Sequence, residues 1–432
     1  MYKDMTIAKV QEFNGEQVRI KGWLYNKRSS GKIQFLQIRD GSGFIQGIMM
    51  KKHVSEEVFE LCKTLTQESS IEVLGTLQKD DRSTLGFEIF VDEVKLIHLA
   101  DEDYPISLKE HGTDFLMENR HLWMRTPKQN AILRIRDEIN FTIREFFRKE
   151  GFILTEPPII TPASCEGTTD LFEIDYFGEK VYLSQTGQLY AEATAMAFNK
   201  VYTFGPTFRA EKSKTRKHMN EFWMVEPEMA FVDFEENMKV QENFVEYVVQ
   251  KVIKTMKREL EVLERDTSAL ERAKAPFPRI TYTDAIKMLQ EADYEIQWGD
   301  DFGAPHETYI AEQYNKPVFI THFPAEMKAF YMQPDPKNPK VILGSDLIAP
   351  EGYGEIIGGS ERIHDKDLLL EKMDQEELPR EVYQWYIDLR KYGSVPHSGF
   401  GLGLERTVSW VCGIDHIRQS IPFARTLNRV YP

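Results

Sequence analysis

Phe204-Gly205-Pro206-Thr207-Phe208-Arg209-Ala210-Glu211 runs into a loop carrying Lys212, Lys214, Arg216, Lys217 and His218. The chain then returns as Asn220-Glu221-Phe222-Trp223-Met224-Val225-Glu226-Pro227-Glu228. Two apolar runs joined by a short polar loop read as a strand hairpin. Pairing would set Arg209 and Glu226 on facing strands around a basic loop. Arginine offers a fork of donors that fits a phosphate. The whole chain is acidic, with 54 Lys+Arg against 69 Asp+Glu and a net charge of −15. So basic a loop on so acidic a protein points to a polyanion. A solvated charged hairpin would account equally well for the charge run alone, so the flanking segments decide.

Two of those segments also place polar residues and glycines inside apolar runs. Gly399-Phe400-Gly401-Leu402-Gly403-Leu404-Glu405-Arg406 alternates glycines, which let a backbone come close to a ligand. It leads into an amphipathic helix through Leu404, Val408 and Val411, ended by Gly413. A cation in a first helical turn opposes the helix dipole, so Arg406 is expected to face an anion. In Ser345-Asp346-Leu347-Ile348 and Gly352 to Arg362, the carboxylates Asp346 and Glu355 lie in apolar strands. Buried carboxylates need a cation or a metal, and two hard oxygen ligands beside phosphates suit Mg²⁺. The alternative at this pair is a structural ion pair.

Around these segments the chain reads as α+β. Val181 to Ser184, Val201 to Phe208 and Phe222 to Phe231 are expected strands of an antiparallel sheet, since few helices interrupt them. Ile132, Ile135, Ile139, Ile143 and Phe146 recur at helical spacing, with Gly151 as C-cap. A strand, Phe152 to Leu154, follows. A second helix is expected from about Glu236 to Glu261, with Val240, Phe244, Val248, Val252 and Met256 on one stripe. Before all this, strands at Val18–Leu24, Gln34–Ile38, Phe44–Met49, Ile71–Leu77 and Phe87–Ile97, with a helix around Glu56–Thr66, predict a small five-stranded closed barrel of the OB type. Residues 101–127 are polar and irregular, and read as a hinge between a 1–100 barrel domain and a 128–432 domain.

The 432 residues allow two domains. With 41% hydrophobic and 28% charged residues, long disorder is not expected. The net charge excludes a generally basic nucleic-acid coat, but not an enzyme with local basic patches. No run approaches 18 apolar residues and Met1 to Val10 lacks a secretion signal core, so a cytoplasmic protein with no membrane partner is expected. Cys62, Cys165 and Cys412 give no zinc framework and fit reduced thiols.

Taken in order, these segments resemble the three signature motifs of the class II aminoacyl-tRNA synthetases. Lys149-Glu150-Gly151-Phe152 through Pro158-Ile159-Ile160 is similar to motif 1, the FRAE…EFWMVEPE hairpin to motif 2 and GFGLGLER to motif 3. The barrel, with Phe35 and Gln46, resembles the anticodon-binding OB domain of the aspartate/asparagine/lysine subgroup. The resemblance implies ATP as substrate, with Arg209 on the α-phosphate, Glu211 on the adenine amino group, Phe222 stacked on the ring and Arg406 on the γ-phosphate. His218 is expected near the triphosphate end. Asp346 and Glu355 would hold Mg²⁺. Glu166 and Gln188 would hold the substrate ammonium, and motif 1 implies a homodimer. In the barrel, Arg28, Phe35 and Gln46 are expected at the tRNA anticodon. No acidic residue lies between Gly22 and Arg39, and basic residues with an aromatic platform suit single-stranded RNA. A core position is the alternative for Phe35.

Within the subgroup, aspartyl enzymes resemble one another at a Ser-Pro-Gln-Leu-(Tyr/Phe)-Lys-Gln stretch whose lysine meets the substrate carboxylate. Here Thr186-Gly187-Gln188-Leu189-Tyr190-Ala191-Glu192 puts alanine there. Arg362 matches the side-chain-reading arginine, and Glu226, with Glu228 second, is expected to accept from a carboxamide NH₂. L-asparagine and tRNA(Asn) are therefore the expected partners. Rival readings are an aspartate-specific or non-discriminating relative, a paralogue that makes asparagine from aspartate, and a non-catalytic RNA-binding paralogue. Such a binder would be expected to lose Arg209, Arg406 or a metal carboxylate, and this chain keeps all of them.

Overall fold

The computed structural model describes residues 1–83, 85–163, 171–213 and 215–432; Cys165, Glu166 and Lys214 lie outside the described residues. These divide into two compact units, Met1–Asn130 with Pro432, and Ala131–Tyr431.

In the first unit, period-two alternation makes a closed barrel. Its strands are β1 (Gln17–Ser30), β2 (Ile33–Arg39), β3 (Phe44–Met50), β4 (Ser70–Lys79) and β5 (Phe87–His98). They are ordered β1-β2-β3-β5-β4, and a β1–β4 pairing closes the ring. Among these five only β3 and β5 pair in parallel, and a short Lys3–Asp4 strand adds to β1, also in parallel. On β2, Leu36 and Ile38 point into the core with Val18, Ile20, Ile71 and Ile89. Phe35 and Gln37 alternate outward. Helix α1 (Glu56–Thr64) is capped by the Ser55 side chain, which accepts from Val58 N–H, and it lays Phe59 and Cys62 on the barrel. Residues 101–127, read as irregular, contain α2 (Thr113–Glu118) and α3 (Arg120–Trp123). Their polar composition hides the small apolar cluster of Ile106, Met117 and Trp123 that holds them.

The second unit is built on an eight-stranded sheet. Its strands are β6 (Ile153–Leu154), β7 (Lys200–Phe208), β8 (Glu221–Ala230), β9 (Arg279–Thr281), β10 (Val318–Thr321), β11 (Gly344–Ala349), β12 (Gly354–Glu361) and β13 (His397–Gly403). The order is β9-β10-β11-β12-β13-β8-β7-β6. The expected antiparallel pairing holds through the centre. The outer pairs β6–β7 and β9–β10 are parallel. The expected strand at Val181–Ser184 forms as Glu179–Leu183, but in a separate three-stranded sheet with Ile160–Thr161 and Glu173–Tyr176.

Helices pack on this sheet by their apolar stripes. On α4 (Pro127–Lys149) the stripe Ile132, Ile135, Ile139, Ile143 and Phe146 is buried. It shares a core with Phe244, Val248 and Val252 of the next long helix and with Phe400 and Leu402 of β13. Between them in the chain lies α5 (Gln188–Phe198). Helix α6 (Phe234–Thr255) starts two residues before the expected Glu236, because Asp233 and Glu236 form a reciprocal capping box. It stops before Glu261: Met256 takes φ −112°, ψ 32°, and a separate α7 (Lys257–Val262) follows. Further on come α8 (Ala304–Glu312), α9 (Gln384–Lys391) and α10 (Leu404–Cys412), the last closed by Gly413 at φ 69°. Among the described residues no helix is long and apolar enough to cross a membrane.

Candidate active site

Strands β7 and β8 pair in register from Lys200 opposite Met229 to Phe208 opposite Glu221. Glu226 faces Thr203, while Arg209 lies one step past the paired strands, its N–H donating to Asn220 O at 3.0 Å. Asn220 Nδ2 donates back to Arg209 O and Glu211 O at 2.8 and 3.1 Å, which locks the mouth of the hairpin. From there Arg209, Glu211, Lys217, His218 and Phe222 face Glu355, Gly401, Gly403 and Arg406 across one cavity. The cavity opens to solvent and sets these cations and carboxylates around one space. The Arg209 guanidinium stands 5.4 Å from the Phe222 ring centre. Burial, then the neighbouring Arg406, pushes the His218 imidazole below its ordinary value. Such a ring is kept neutral beside the cations. Lys217 Nζ donates to Gly352 O at 2.6 Å and so ties the loop to the turn before β12.

Arg406, in the first turn of α10, meets the anion its position called for. It donates to Glu355 O at 2.7 Å and stands 3.7 Å from the Glu355 carboxylate. Neighbouring Glu405 is buried. It pairs with Arg136 of α4 at 2.8 Å and accepts from Trp223 N–H at 3.0 Å. One carboxylate thus ties the motif 1 helix, the hairpin and α10 together.

Asp346 and Glu355 sit on the paired strands β11 and β12. A Cβ on Gly358 would come 2.9 Å from Glu355 Oε1 and 3.5 Å from Asp346 Oδ1, so both carboxylates converge over that glycine. Glu307 of α8, which belongs to no motif in the sequence, joins them. Burial and then Glu355 push its carboxyl up to about 7. Asp346 is pushed up to about 6, by burial first, with Lys328 opposing and Glu355 adding. Lys328 Nζ holds Asp346 Oδ2 at 2.9 Å. Glu355 helps raise both Glu307 and Asp346, while Lys328 answers Asp346 and Arg406 and Lys217 partly answer Glu307, which leaves a cluster of carboxylate oxygens. That oxygen donor set fits a hard divalent cation.

The sheet centre carries a second set of buried charges. Arg362 forks onto Glu228 at 3.1 and 3.0 Å and donates to Ser360 Oγ at 2.8 Å. A Cβ at position 399 would overlap the Glu228 carboxylate, so here glycine serves a side chain and not a ligand. Glu226, the first expected reader of the carboxamide, instead accepts from Gly187 N–H at 2.8 Å, from Thr203 Oγ1 at 3.0 Å and from Thr186 Oγ1. Gln188, buried at the start of α5, donates to Glu192 at 3.2 Å. Glu192 also receives Arg390 at 2.6 Å, His397 at 3.0 Å and the Tyr386 hydroxyl at 2.8 Å. Glu192, Glu228 and His397 offer ligand atoms within 4.8 Å of one another. Arg362 and Arg390 already take the place a metal would there. Ala191 beside this set is buried. Glu166 lies outside the described residues.

On the barrel, Arg28 and Phe35 are register partners on β1 and β2, with the guanidinium 4.4 Å over the ring. Phe35 is half-buried on the outer face and outside the barrel core. Gln46 of β3 donates to Glu88 of β5 at 2.7 Å.

Residues 112–427 match the family of tRNA synthetases class II (D, K and N), and residues 18–97 match the OB-fold nucleic acid binding domain. The asparagine–tRNA ligase of Desulforamulus reducens is 60% identical over 417 residues, 96% of this chain and 97% of the relative. That of Pelotomaculum thermopropionicum is 59% identical over 426 residues, 99% of each. The crystal structure of asparaginyl-tRNA synthetase from Pyrococcus horikoshii complexed with asparaginyl-adenylate superposes with a TM-score of 0.95 at 43% identity, covering all of both chains.

Proposed function

The chain belongs to the class II aminoacyl-tRNA synthetases of the aspartate, lysine and asparagine group, and from that premise we propose that it joins L-asparagine to tRNA(Asn) at the expense of ATP. The full-length likeness to asparagine–tRNA ligases carries this reading. The buried Arg362–Glu228 pair beside Ala191 supports the choice of amino acid.

The asparagine α-carboxylate attacks the α-phosphorus in line, giving asparaginyl-adenylate and pyrophosphate. The 3′-hydroxyl of the tRNA then attacks the acyl carbon, giving up its proton as the acyl–phosphate bond breaks and AMP leaves. Both steps bring anions together, so positioning and neutralisation dominate. Arg209 neutralises the α-phosphate, Phe222 stacks on adenine and Glu211 accepts from its amino group. Arg406 and His218 take the triphosphate end. Gln188 and Glu166 hold the substrate ammonium. Arg362 donates to the carboxamide oxygen, and Glu228, already beside it, accepts from the NH₂. Glu226 fixes the Thr186–Gly187 turn that presents Gln188. Asp346 and Glu355, with Glu307 behind them, would hold Mg²⁺. When bound, the ion supplies positive charge to the phosphate oxygens.

The segment 1–100 is the anticodon-binding barrel, with Arg28, Phe35 and Gln46 on its reading face. Residues 101–127 are the hinge and 128–432 the catalytic domain. Exposed Phe141, Ile159 and Ile160 on the motif 1 segment support a homodimer through it. A cytoplasmic site of action is in keeping with this use of ATP and tRNA.

ATP–pyrophosphate exchange with asparagine and aspartate compared, followed by charging of tRNA(Asn), tests the reading. Exchange that favours aspartate would overturn it.

A further inference from the structure

We propose that Arg265, which lies outside all three motifs, is a positioning residue for ATP: it fixes the turn 350–354, and that turn holds the Lys217 ammonium beside the nucleotide cavity. This deepens the ligase reading above and rests on it.

Arg265 follows α7, and its side chain is buried against the end of α10. Its Nε donates to Val411 O at 3.3 Å and its Nη2 to Trp410 O at 3.0 Å. A cation suits this end of a helix. The same guanidinium forks onto Glu351, Nη1 to Oε1 at 2.8 Å and Nη2 to Oε2 at 2.6 Å. A two-pronged pair of this kind sets orientation as well as distance. A Cβ at Gly413 would stand 2.7 Å from Arg265 Cδ, so the glycine that closes α10 also makes room for the arginine. One side chain therefore ties the helix that begins with Arg406 to the turn before β12.

The turn needs such a tie. Glu351, Gly352 and Gly354 take φ of 62°, 77° and 76°. Left-handed backbone at a glutamate persists only where the surroundings hold it. The turn in turn holds the motif 2 loop. Gly352 O accepts from Lys217 Nζ at 2.6 Å. A Cβ at Gly354 would come 2.5 Å from Glu307 Oε2 and 3.4 Å from Lys217 Nζ, so both side chains close on this turn. Lys217 lines the same cavity as Arg209, His218 and Arg406, whereas Arg265 is not among the described residues that line it. An ammonium has three donors, so the bond to Gly352 O leaves others for a phosphate oxygen. A lysine already held in place loses less freedom when ATP arrives.

The test is asparagine-dependent pyrophosphate exchange by the full chain, with KM for ATP and for asparagine measured separately. Arg265→Met should raise KM for ATP roughly tenfold and leave KM for asparagine unchanged. Glu351→Ala cuts the fork but keeps the bonds to α10, and it should raise KM for ATP in the same way; it also carries the test if Arg265→Met does not fold. Lys217→Met should raise KM for ATP too. The double variant Arg265→Met/Lys217→Met should be no worse than Lys217→Met alone, because both changes act on one contact. A merely structural role would lower kcat through loss of active molecules and leave KM for ATP at the wild-type value. That result, a silent Glu351→Ala or Lys217→Met, or a double variant whose losses multiply, overturns the proposal. A wild-type protein without asparagine-dependent exchange would instead overturn the reading beneath it.

Discussion

Arg209→Ala tests the assignment of the ATP pocket most directly. The geometry confines the damage to the side chain. Position 209 is held by backbone bonds, its N–H to Asn220 O at 3.0 Å and its carbonyl from Asn220 Nδ2 at 2.8 Å. Alanine keeps both, so the hairpin should remain closed and the melting temperature should stay near that of the wild type. What disappears is one guanidinium at a phosphate. Arg406 is assigned to the triphosphate end and Lys217 Nζ holds Gly352 O, so neither stands in for it. One preorganised charged donor at a developing anion contributes about 3 kcal/mol. That corresponds to a loss on the order of a hundredfold in rate. The assay is asparagine-dependent ATP–pyrophosphate exchange at saturating ATP, with aminoacylation falling in parallel. A folded variant within about tenfold of wild type would refute the α-phosphate role.

Phe35→Ala should weaken charging of tRNA(Asn) by roughly 1–3 kcal/mol while exchange stays intact; equal loss of both would make Phe35 a structural residue. Arg136→Met strands the buried Glu405 carboxylate and should cost about 3–5 kcal/mol in denaturant unfolding, with part recovered by adding Glu405→Gln. Asp346 and Glu307, raised to about 6 and about 7, bind protons more tightly folded than unfolded. Without divalent cation, stability should therefore fall as pH rises from about 4 through 7. Mg²⁺ should raise the melting temperature more at pH 8 than at pH 5, and an equal rise at both would sink the carboxylate site. Ala191→Lys with Glu228→Gln should shift exchange toward aspartate, and an unchanged preference would move discrimination elsewhere.

How much was legible follows from the range over which each signal acts. The barrel was readable because period-two alternation is local: on β2, Leu36 and Ile38 turn in while Phe35 turns out, each set by its neighbours. The same holds for the five-residue apolar stripe of α4. The pocket residues were readable because Arg209 to Phe222 and Gly399 to Arg406 are contiguous motifs whose spacing carries their chemistry. Local signals ran out where tertiary pairing decides. The break at Met256 leaves the apolar stripe uninterrupted, so periodicity could not show it. The strand at Glu179–Leu183 has the right pattern, but pattern does not say which sheet receives it. The capping box at Asp233 was present in the sequence, and weighing it would have set the start of α6 correctly.

The same argument explains which charges were missed. Glu307 and Lys328 sit in segments with no motif, and they become part of the metal-type cluster only because α8 and the segment after β10 pack against β11 and β12. Glu192, Arg390 and His397 come from α5, α9 and β13. In sequence each is an ordinary polar residue at an ordinary spacing. Burial turns them into a set: an anion with essentially no exposure has to be answered within a few ångströms, and the answering arginine can come from anywhere in the chain. A substitution read alone, alanine for lysine at position 191, therefore suggests only that one positive charge is gone from the pocket. The structure adds that the neighbouring Glu192 carboxylate is buried and receives Arg390, His397, Tyr386 and Gln188. Glu192, Glu228, Arg362, Arg390 and His397 thus form one buried set that no single position in the sequence displays.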